Sequence, residues 1–164
     1  MKRLSLSTIL AVLVLLATVG AAVAAVQNYR AHLSGRFEIP AVVDTQAEGQ
    51  AIFQLSKDGN TLQYKLNVAN IENVTQAHIH LNPTSGTGNG PILVWLYPSA
   101  PPLQLIPGRT DGQLAEGEIT AANLRGPLAG KTLADLIALI EADNTYVNVH
   151  TTAFPGGEIH GPVH

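Results

Sequence analysis

Six histidines are the residues of this 164-residue chain whose types and spacing could do chemistry: His32, His78, His80, His150, His160 and His164. No cysteine accompanies them. Only nitrogen and oxygen ligands can therefore meet a metal, which excludes Cys-ligated zinc, iron–sulfur clusters and thiol catalysis together. His78 and His80 lie two residues apart in Ala77-His78-Ile79-His80-Leu81. In a strand that spacing puts both imidazoles on one face, roughly 7 Å apart at Cα, and turns Ala77, Ile79 and Leu81 toward the other. His150 shares its parity with Asn148 and Tyr146, and His160 with Glu158, Pro162 and His164. The segment Thr152 to Gly157 reads as a connection between two paired strands, which would bring Asn148, His150, Glu158 and His160 onto one surface.

Two readings of this constellation stay open. Imidazoles on rigid neighbouring strands suit a borderline ion such as copper(II) or zinc. On that reading His78, His80 and His150 form the core of a site and His160 is the fourth ligand, with Asn148 and Glu158 as orienting partners. Copper(II) should then outcompete zinc, and binding should weaken as pH falls through the ordinary histidine value of about 6.5. On the other reading the same histidines are hydrogen-bonded polar residues with a structural role. His32 reads as an ordinary edge-strand residue.

Other chemistry finds little support. Glu38, Glu48, Glu116, Glu118 and Glu158 read as residues of solvated strand faces, and nothing in the sequence places two together as an acid/base pair. There is no Gly-x-Ser-x-Gly elbow for serine hydrolysis. Ser85 to Gly90 is glycine-rich but lacks the Lys-Ser/Thr ending of a phosphate loop. Trp95, within Ile92–Tyr97, is expected in the core or at an interface.

The elements that must position these residues are mostly strands. Ala51, Phe53 and Leu55 alternate with polar neighbours, Ser56 to Asn60 turn, and Leu62, Tyr64, Leu66 and Val68 return on one side. Further strands are expected at Ala31–Phe37, Val74–Leu81, Ile92–Tyr97, Gly112–Ile119, Tyr146–His150 and Glu158–Val163. Pro83 to Pro91 reads as a loop, and Ser99 to Gly108, with three prolines, cannot be a central strand. One segment has helical period: Thr132 and Asp135 match a capping box, followed by Leu133, Leu136, Ile137 and Ile140 on one stripe. The fold class is all-β, an antiparallel sandwich or barrel with one short amphipathic helix across an opening.

Apolar residues make up 46 % of the chain and charged residues 13 %, which excludes a charge-rich disordered protein. The formal net charge of -3 supplies no basic field for nucleic acid. The N-terminus explains part of the apolar content. Met1-Lys2-Arg3 precedes the apolar run Leu10 to Leu16 and the small residues Ala22 to Ala25. This reads as a secretory signal peptide over 1–25, with residues 26–164 as the exported domain, secreted or periplasmic.

Several motifs then occur together in order: Leu33-Ser34-Gly35, Glu38-Ile39-Pro40, Ala77-His78-Ile79-His80, Asn89-Gly90-Pro91, Gly117-Glu118-Ile119-Thr120 with Asn123-Leu124, Tyr146 to Thr151, and Pro155 to Gly161. This pattern closely resembles the CHRD (chordin) domain over roughly Ala31 to Val163. The resemblance implies an extracellular, immunoglobulin-like β-barrel with no established catalytic activity. His160 stands where the family usually has arginine, and Pro162 where it has glutamine. The His78, His80 and His150 arrangement also resembles the copper ligands of copper/zinc superoxide dismutase, another Greek-key barrel. That likeness lacks the bridging-histidine loop, the zinc-site aspartates and the disulfide cysteines.

The expectation is an exported, non-catalytic binding or structural module that takes copper or zinc through its histidines. The alternative is a copper-dependent redox enzyme of the dismutase type. The expected partners are a divalent metal ion and an extracellular protein. Nucleic acid is not expected as a partner, nor is a membrane once the signal is removed.

Overall fold

The computed structural model describes residues 27–83 and 89–164. The expected signal segment and the middle of the Pro83–Pro91 loop lie outside the described residues. Eight strands follow in chain order: β1 (Asn28–Ser34), β2 (Glu48–Leu55), β3 (Leu62–Glu72), β4 (Val74–Leu81), β5 (Ile92–Tyr97), β6 (Arg109–Ile119), β7 (Thr145–Thr151) and β8 (Ile159–Pro162). One helix, α1 (Leu133–Glu141), sits between β6 and β7. No helix among the described residues is long and apolar enough to cross a membrane.

All strand pairings are antiparallel, in the order β5-β4-β7-β8-β1-β2-β3-β6. Of sandwich and barrel, the chain forms the barrel: a single sheet curls until its outer strands β5 and β6 approach one another. At that seam the Tyr64 hydroxyl donates to the Leu96 carbonyl at 2.8 Å. His32 is exposed, but it is not the expected edge-strand residue, because β1 lies inside the sheet between β8 and β2.

The period-two segments form because one face can be buried. Ala51, Phe53, Leu66, Ile79, Val147 and Ile159 point into one core. The β2–β3 hairpin has the expected register, with Phe53 opposite Tyr64. Its turn is held by Asp58, which accepts from the Ser56 hydroxyl and the Asn60 amide, and by Gly59 at φ +72°. The helix caps as its sequence dictates. The Thr132 hydroxyl accepts from the Asp135 amide, the Asp135 carboxylate accepts from the Thr132 amide, and the stripe Leu133, Leu136, Ile137, Ile140 joins the core.

Several strand boundaries differ from the sequence reading, most of all in β1, which runs Asn28–Ser34 instead of Ala31–Phe37, and in β6. The first strand ends at Ser34, because Gly35–Phe37 turn as a 3-10 segment and Gly35 packs against the Val43 backbone too closely to admit a side chain. β6 begins at Arg109, three residues earlier than expected, since Arg109 and Thr110 pair with β3 beyond an irregularity at Gly112.

Candidate metal centre

The strand parity that sends Ala77, Ile79, Val147, Val149 and Ile159 into the barrel sends His78, His80, Tyr146, Asn148, His150 and His160 to its outer face. The sheet register lines several of them up across neighbouring strands. Ser34 of β1 pairs with His160 of β8, His160 with Asn148 of β7, Asn148 with His78 of β4, and His78 with Trp95 of β5. His80 pairs with Tyr146 in the row beside it. This outer face is not solvated. His78 is fully buried, His80 and His150 are 3 % exposed, and Asn148 and Tyr146 are fully buried.

Loops from distant parts of the chain cover the face, and they fix the imidazoles. His80 Nδ1 lies 2.8 Å from the Gly90 carbonyl, and His150 Nδ1 lies 3.1 Å from the Pro155 carbonyl. A carbonyl only accepts, so each Nδ1 carries the proton and each Nε2 keeps its lone pair. The His150 Nε2 faces His78 Nδ1 at 3.3 Å. His78, His80 and His150 each offer a ring nitrogen, and the three lie within 4.8 Å of one another.

The two covering loops are tied together and to the strands. The Asn89 side-chain amide donates to the Gly156 carbonyl, and its oxygen accepts from Asn148 at 3.1 Å and from the Tyr146 hydroxyl at 3.3 Å. That hydroxyl in turn accepts from the Gly90 amide at 2.9 Å. Gly90 and Gly157 have no room for a side chain: a Cβ on Gly90 would strike the Leu81 carbonyl, and one on Gly157 would strike Asn148 and Glu38.

Burial sets the charge state. Desolvation, then the neighbouring His150 and His80, lowers the His78 pKa to about 2. Desolvation and His80 lower that of His150 to about 4. Burial also lowers His80, against the opposing pull of the Gly90 carbonyl. At neutral pH the trio is uncharged, the form that ligates metal. Among the described residues, His78 Nε2 and His80 Nε2 are buried with no hydrogen-bond partner. Each such orphan costs about 1–3 kcal/mol, and ligation through Nε2 would relieve the one at His80.

Not every candidate joins the trio. His160 is buried, but Tyr146 stands between it and His80: the Tyr146 ring stacks on His160 at 3.9 Å between centroids and on His80 at 5.1 Å. His164 is exposed and pairs through its backbone with Arg30. Asn148 and Glu158 bond elsewhere than to the imidazoles. Asn148 reaches Asn89 and Gly156, while Glu158 accepts from the Thr45 and Thr151 hydroxyls, each at 2.7 Å. The orienting partners are instead backbone carbonyls, which no side-chain pattern could single out.

Of the two places expected for Trp95, it is not in the core: it lies partly exposed against His78, edge to face, with centroids 4.3 Å apart. A further expectation needs correction. Glu38 and Glu158 do not lie on solvated faces. They are 7 % and 6 % exposed, and burial pushes the Glu38 carboxyl up to about 7, with Glu158 adding to the rise against the hydrogen bonds from Ile39 and Asn148.

The histidines thus sit on the outside of a barrel wall, sealed by the Gly90 and Pro155 loops. The CHRD domain model matches residues 29–163, essentially the whole described chain. No curated protein and no solved structure matches. Histidine strands, covering loops and barrel all fall within the matched span, and the chain belongs to the CHRD domain family.

Proposed function

We propose that this CHRD domain is a non-catalytic metal-binding module working outside the cytoplasm, and that copper or zinc is its ion. The observation that carries the reading is the tautomer arrangement. His80 and His150 each give their Nδ1 proton to a backbone carbonyl and so keep a lone pair on Nε2, and that of His150 faces His78 Nδ1. Metal-ligating histidines characteristically fix their second nitrogen in this way. The 3.3 Å between His78 Nδ1 and His150 Nε2 also suits two ligands of one ion, since bonds of about 2.0 Å at about 110° span that distance. The extracytoplasmic setting rests on the basic, apolar and small-residue succession of the first 25 residues.

Trp95, the chain's single tryptophan, touches His78 and serves as an internal probe. Titration of the purified domain with copper(II) should quench its fluorescence at one equivalent, and zinc should bind without comparable quenching. Calorimetry should give a Kd below about 10 μM for at least one of the two ions. A His78→Ala/His80→Ala variant should lose that affinity at least a hundredfold. Retained affinity in the folded variant would remove the trio from the site. A loss as large in His160→Ala would add a fourth ligand from beyond Tyr146.

A further inference from the structure

We propose that the trio selects copper in its +1 state, as a closed three-coordinate copper(I) site; this deepens the metal-binding reading and rests on it. The first argument is electrostatic. The ligand set is three imidazoles, none more than 3 % exposed, and no carboxylate belongs to the group among the described residues. The buried carboxyls lie elsewhere on the face. Glu158 is held by Thr45 and Thr151, and Glu38 by Asn148 and the Ile39 backbone. Transferring an ion out of water costs free energy that rises with the square of its charge, so a dication pays about four times the penalty of a monocation. With no anionic ligand to offset it, the site disfavours copper(II) and zinc(II) against copper(I).

The second argument is geometric. Copper(II) prefers square or tetragonal nitrogen ligands, whose cis nitrogens lie about 2.8 Å apart. The His78 Nδ1 to His150 Nε2 separation of 3.3 Å is wider and corresponds to an angle near 110°, in the range of trigonal or tetrahedral coordination. A fourth ligand is kept away on two sides. Tyr146 stands between His80 and His160, and Trp95 lies against His78. Three imidazoles satisfy copper(I), which is stable at two or three ligands, whereas copper(II) and zinc(II) would each have to recruit a further donor such as water.

The test measures affinity for the two copper states separately on the folded domain. Copper(I) is titrated without oxygen against bicinchoninate, and copper(II) against glycine. Copper(I) should bind at least a hundredfold more tightly, and X-ray absorption of that complex should show three nitrogen neighbours. Equal or tighter binding of copper(II), or binding of zinc alone, would overturn the copper(I) assignment while leaving a metal site in place. Absence of binding by copper(I), copper(II) and zinc would overturn the metal-binding reading itself.

Discussion

A buried imidazole resists protonation because the protein interior solvates its cation poorly. The effect has a definite sign here. His150 and His160 fall to about 4 and His78 to about 2, all below the ordinary value of 6.5. A base whose folded pKa is depressed contributes stability above its unfolded pKa, and that stability is lost as pH falls toward the folded value. Glu38 opposes this, because its folded pKa is raised to about 7, so it favours the fold as pH drops from 7. Four buried histidines, His80 included, outweigh one carboxyl. The metal-free domain should therefore lose about 10 °C or more in Tm between pH 7 and pH 4.5, and thermal melts in that window would show it. A Tm that holds or rises would mean that the imidazoles are hydrated in solution. Metal affinity should behave differently from the sequence expectation. With the pKa values of all three imidazoles lowered by burial, binding should begin to weaken at a lower pH than 6.5, which a pH series of the copper titration reads directly.

At the scale of elements, the strands carry the ligands and the loops decide their usefulness. The loop ahead of β5 gives the Gly90 carbonyl to His80, the β7–β8 connection gives the Pro155 carbonyl to His150, and Asn89 joins the two through Gly156. Asn89→Ala removes that tie without touching an imidazole. It should weaken metal binding about tenfold, the usual cost of losing an outer partner, and speed metal release in stopped-flow chelator exchange. An unchanged release rate would mean that each loop holds its histidine alone. The helix answers to a different test. Ile137 is only 8 % exposed on the stripe that meets the core. Ile137→Asp would bury a charge with no partner and should cost several kcal/mol, lowering Tm by about 10 °C or more. A melt within a degree or two of the parent would make α1 peripheral. The helix was readable from its cap and stripe because both are local. The roles of Gly90 and Pro155 were not, since a backbone carbonyl looks alike at every residue.

The whole molecule depends on how nearly the sheet closes. β5 and β6 are the two edges, and the buried Tyr64 hydroxyl spans the seam from β3 to the Leu96 carbonyl. Tyr64→Phe keeps the ring and strands the carbonyl, a loss of about 1–3 kcal/mol that should appear as a Tm several degrees lower. An unchanged Tm would show that packing alone closes the barrel. The sequence by itself determined the strand periods, the capped helix, the CHRD pattern and the shared face of His78 with His80, because each is a property of neighbouring residues and a period of two or 3.6. Only the tertiary structure decided that His150 joins them while Tyr146 sets His160 apart, and that this polar outer face is buried. Those outcomes rest on register between strands some 70 residues apart and on the loops that fold over them, and no local pattern encodes either.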